Sequence, residues 1–107
     1  IKKILIQNKK ITAIICSTEF SALSAIKACN FLNLRIGKDI SIITFDGPIV
    51  RDLSTPPITA ASFPVKLLGK KAINILLKRS SYLQKTPNFL AKSEIINRGS
   101  VHVVKKK

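Results

Sequence analysis

The sequence has no methionine, no tryptophan, one tyrosine, one histidine, two cysteines and only five acidic residues. Each scarcity excludes a class of chemistry. The single histidine, His102, stands between Val101 and Val103 near the C-terminus, and no Ser/His/Asp set can be assembled around it. The acidic residues Glu19, Asp39, Asp46, Asp52 and Glu94 fall one per segment, so no carboxylate pair or metal-ligand cluster is present. The glycines Gly37, Gly47, Gly69 and Gly99 are isolated, which rules out a glycine-rich phosphate loop. No catalytic residue, metal or cofactor is expected, and the chain does not read as an enzyme.

Cys16 and Cys29 form no C-x-x-C pair. Cys16 closes an apolar run and Cys29 falls on the apolar side of a helical pattern, so both are expected to be buried free thiols. That suits a reducing, cytoplasmic compartment. No apolar run approaches the ~20 residues needed to cross a bilayer, and Ile1–Ile6 is too short and too lysine-flanked for a signal peptide. With no membrane partner expected and no methionine at its start, the chain reads as a domain or fragment of a longer protein.

What is abundant is apolar residues, 46% of the chain, and positive charge, with 19 Lys plus Arg giving +14. A chain of 107 residues allows one modest core. The charge has two readings, a nucleic-acid or anionic partner and a lysine-rich solvated surface. The lysines are scattered (Lys2, Lys3, Lys9, Lys10, Lys66, Lys70, Lys71, Lys78) apart from the closing run Lys105–Lys107. The sequence shows no basic–aromatic interleaving of the kind that binds single strands.

Residues 1–7 carry Ile1, Ile4 and Leu5 at helical spacing. Ile11-Thr12-Ala13-Ile14-Ile15-Cys16 is a continuous apolar run, as in a strand buried on both faces of a parallel sheet. Ser17 or Thr18 caps a following helix with Glu19 in its first turn. In that helix Ala22, Leu23, Ala25, Ile26, Cys29 and Leu32 recur at helical spacing, and Gly37 marks its end. Residues 40–45 form a second apolar strand, stopped by Asp46-Gly47-Pro48. Strand, helix, strand over 11–45 spells a βαβ unit. A short strand is predicted over Ile58–Ser62, then a helix with Pro64 at its first position. Its apolar face is Val65, Leu68, Ala72, Ile75 and Leu76, and its lysines point away. A strand over Phe89–Ile96 follows. The fold class is thus α/β, an open, mostly parallel sheet with flanking helices.

Open parallel sheets bind ligands beyond the carboxyl ends of their strands. Three residues stand there. Asp46 could accept paired hydrogen bonds from ligand hydroxyls, Thr18 could give or take one, and Phe63 could stack on an apolar ring face. Against this, Asp46 could be a turn residue bonding its own backbone, and Phe63 could be packed in the core.

The order of these pieces resembles the effector-binding core of LacI/GalR-type bacterial transcription regulators. The matching stretches are Thr12–Ser17, Ala22–Ala28, Ile36–Asp46, Thr55–Thr59, Leu67–Ala72 and Asn97-Arg98-Gly99-Ser100. The resemblance covers residues 12–100. It implies a partial periplasmic-binding-protein-like core of two α/β subdomains with a small-molecule effector, sugar-like or nucleoside-like, in the cleft between them. It implies a homodimer, with Leu23, Ile26 and Leu53 at the interface. It also implies operator DNA contacted through an upstream segment outside this chain. On this reading residues 1–62 and 89–100 belong to the C-terminal subdomain, and helix 64–78 packs on the N-terminal subdomain. Asp46 matches the aspartate that commonly contacts effector in the family. Four residues at three places depart from the family pattern: Thr18-Glu19 stands for Asn-Asp, Thr44 for glycine and Phe63 for glutamine. The first puts a typical sugar effector in doubt. The competing readings are a periplasmic solute-binding protein of the same fold and a basic nucleic-acid-binding module.

Overall fold

The computed structural model describes residues 1–45, 53–79 and 88–103, with only the backbone of residues 78 and 79. The predicted turn Asp46-Gly47-Pro48 and the run Lys105–Lys107 lie outside the described residues. The chain divides into two compact units, one of Ile1–Ser62 with Ile95–Lys107 and one of Phe63–Glu94.

The first unit begins with α1 (Lys2–Gln7), β1 (Ala13–Cys16) and α2 (Glu19–Phe31), followed by β2 (Ser41–Phe45) and β3 (Thr59–Ser62). β1 pairs parallel with β2, Ile14 opposite Ile42 and Cys16 opposite Thr44. β2 pairs parallel with β3, Ile43 opposite Thr59 and Phe45 opposite Ala61. With β4 (Glu94–Ile96) the strands make an open four-stranded sheet in the order β1-β2-β3-β4. The mostly parallel α/β architecture expected from the sequence is present.

Period-two alternation sends Ile42 toward α2, where it meets Ala22, Ala25, Ile26 and Cys29 in a fully or nearly buried cluster. α1 adds Leu5 to that cluster. On the face of β1 that α2 does not cover, Ile15 is 77% exposed within the described residues. Thr44, where the family usually has glycine, is buried, and its hydroxyl donates to the carbonyl oxygens of Cys16 and Phe45 at 3.3 and 3.2 Å.

α2 stops earlier than Gly37 suggests. Its last residue is Phe31, and Asn33 takes the left-handed conformation at φ 55°. Leu34 N–H donates to Cys29 O and Asn33 N–H to Asn30 O, so the last carbonyls are satisfied by a Schellman motif. Asparagine tolerates this conformation better than other residues with a β-carbon. Gly37, at φ 78°, belongs instead to the turn before β2, where its N–H donates to Ile40 O. Within that turn Asp39 holds Arg35 by two side-chain bonds of 2.7 Å and one backbone N–H bond of 2.8 Å.

The C-terminal segment is stitched across the starts of β2 and β3. Ser100 is fully buried. Its hydroxyl donates to Ile42 O at 2.6 Å and accepts from Thr59 N–H at 2.7 Å. Its carbonyl accepts from Ile42 N–H. Arg98 donates to Ile58 O, and its own N–H donates to the Thr59 hydroxyl. His102 N–H donates to the Ser41 hydroxyl at 3.1 Å, and Nδ1 lies 2.9 Å from the same oxygen. The strand predicted over 89–96 is confined to Glu94–Ile96.

The second unit contains α3 (Val65–Arg79). Leu68 N–H donates to Pro64 O, so Pro64 caps the helix rather than opening its first turn. None of its described side chains is buried, and Leu76 and Leu77 are 68% and 72% exposed. Lys71 sits 5.3 Å above the Phe89 ring within this unit.

Candidate functional site

Parallel pairing places the carboxyl ends of β1, β2 and β3, at Cys16, Phe45 and Ser62, along one edge of the sheet. Thr18 follows Cys16 at that edge and caps α2. Its hydroxyl accepts from Ser21 N–H at 3.2 Å, while the Ser21 hydroxyl accepts from Thr18 N–H and donates to Thr18 O. This is a capping box in which serine stands where glutamate or glutamine is usual. The same exposed hydroxyl that the sequence offers to a ligand therefore also satisfies the first turn of the helix. Asp46 is the next residue after Phe45 but lies outside the described residues. Phe63 follows Ser62 and is 44% exposed; it belongs to the second unit.

Cys16 closes β1 just before this edge. Burial pushes its thiol above the ordinary range, and a hydrogen bond with the Ser21 side chain opposes the shift. Burial also raises Cys29, with Cys16 adding to the effect. Both are free thiols, as expected. Among the described residues no three His, Cys, Asp or Glu side chains gather to hold a metal. The Ser41–His102 pair does not resemble a nucleophilic site, since Ser41 is buried and its hydroxyl already engages His102 twice.

Of the three residues assigned to a dimer interface, Ile26 lies in the core at 6% exposure and Leu23 is partly buried against it. Leu53 is 55% exposed. Ile26 and Leu53 line a groove of about 800 Å³ together with Asn30, Arg35, Lys38 and Pro56.

Sequence reasoning missed a further surface. Phe20, Ser24, Lys27 and Phe31 recur at helical spacing along the exposed side of α2, which was legible. The arrival of Lys2 from α1, 3.2 Å above the Phe31 ring, was not.

A family model for the periplasmic binding protein-like domain matches residues 2–101. The HTH-type transcriptional repressor PurR of Histophilus somni (strain 2336) is 39% identical over 79 residues, covering 74% of this chain and 24% of that protein. The HTH-type transcriptional regulator MalR of Streptomyces coelicolor is 33% identical over 93 residues, covering 83% of this chain and 26% of that protein. The crystal structure of the lac repressor dimer bound to operator and the anti-inducer ONPF superposes with a TM-score of 0.83 at 25% identity, covering 95% of this chain and 36% of that one. The chain thus spans about a quarter to a third of the length of the relatives it matches. The chain therefore belongs to the periplasmic binding protein-like domain family, in the form found in LacI-family transcription regulators.

Proposed function

We propose that this chain is the effector-sensing and dimerisation region of a DNA-binding transcription regulator working in the cytoplasm. A small molecule of the sugar or nucleoside class binds in a cleft between two subdomains. Operator DNA is contacted through a segment outside these residues. The observation that carries this reading is the shared edge at the ends of β1 and β2, with Thr18 beside one end and Asp46 next in sequence after the other. The kinship with regulators supports it.

Asp46 reads ligand hydroxyls, Thr18 gives one further polar contact, and Phe63 covers an apolar face of the ligand. Leu23 and Leu53 form the contact between copies, with Ile26, buried in the core, lining the same groove as Leu53. Helix α3 packs its apolar side on the second subdomain of the full-length protein, which removes its exposed leucines from water. Ligand binding shifts the balance between two subdomain arrangements, a coupling of typically about 1–3 kcal/mol.

The test is a panel of sugars and nucleosides titrated into the full-length protein and its Asp46→Asn variant by calorimetry. Loss of about tenfold or more in affinity, roughly 1.4 kcal/mol, is expected for the variant. Unchanged affinity would remove Asp46 from the site.

A further inference from the structure

We draw no further inference here: the strongest candidate, the exposed patch that Phe20, Lys27 and Phe31 form along the outer side of α2, carries none because nothing in the structure shows what covers it.

Discussion

Gly37 faces the carbonyl oxygen of Gly99 so closely that a β-carbon at position 37 would overlap it. Gly37 also holds a φ of 78°, a conformation that residues with a β-carbon rarely adopt. The turn before β2 and the C-terminal segment meet at this point, with the Pro56 ring against both glycines.

Gly37→Ala should therefore destabilise the first unit through both the backbone conformation and the lost space. The conformational part alone is about 1–3 kcal/mol. Gly69→Ala is the matched control. It lies inside α3 with open space around it, where alanine should strengthen the helix by roughly 0.5–1 kcal/mol. Urea unfolding of each variant followed by circular dichroism checks the opposite signs.

Ser100→Ala would strand the Thr59 amide and the Ile42 carbonyl in a buried position. A buried polar group left unpaired costs about 1–3 kcal/mol. The expected outcome is a lower unfolding midpoint together with faster hydrogen exchange at the Thr59 amide. Exchange unchanged at Thr59 would mean that the segment does not hold β3.

Acid should loosen the turn before β2. The Arg35 guanidinium and backbone N–H hold the Asp39 carboxyl far below the usual carboxylate range. A depressed folded value means that the contribution is complete above the unfolded value of about 4 and is lost as pH falls below it. The pair is on the surface, so the effect is small and shrinks with salt. Asp39→Asn should flatten the fall in stability between about pH 5 and pH 2, measured by urea midpoints at low ionic strength.

The two thiols should resist modification in the native state. Burial raises both above their ordinary value, which favours the neutral, unreactive form. Because the folded values are raised, stability is complete below the ordinary thiol range of about 8.5 and declines as pH rises through it. Labelling by a thiol-specific reagent at neutral pH should proceed at the rate of opening, and should accelerate in step with unfolding as urea is added.

The elements set by local pattern were legible. The apolar runs ending at Cys16 and Phe45 gave the strands, Thr18 gave the start of α2, and helical spacing gave α3. The end of α2 was misread because Gly37 is a stronger signal than Asn33, although Asn33 makes the left-handed turn. Exposure of Ile15 was not legible, since a run of apolar residues does not say how many layers cover it. Ser100 and His102 could not be tied to Ile42, Thr59 and Ser41 by spacing, because these bonds join residues 41 to 61 positions apart. For the candidate site, Thr18 was legible as a position, but its partnership with Ser21 emerges only from the geometry.

The stitching of Ser100 to Ile42 also sets an order of events during synthesis. The two residues are 58 positions apart. At a translation rate of about 5–20 residues per second, β2 waits roughly 3–12 seconds for the serine that completes its end. Throughout that interval the Ile42 amide and carbonyl stay wet and the nascent sheet is open to wrong pairings. A chain cut short before Ser100 would carry β1, α2, β2 and β3 but leave β2 and β3 unfastened, a natural substrate for proteolytic quality control.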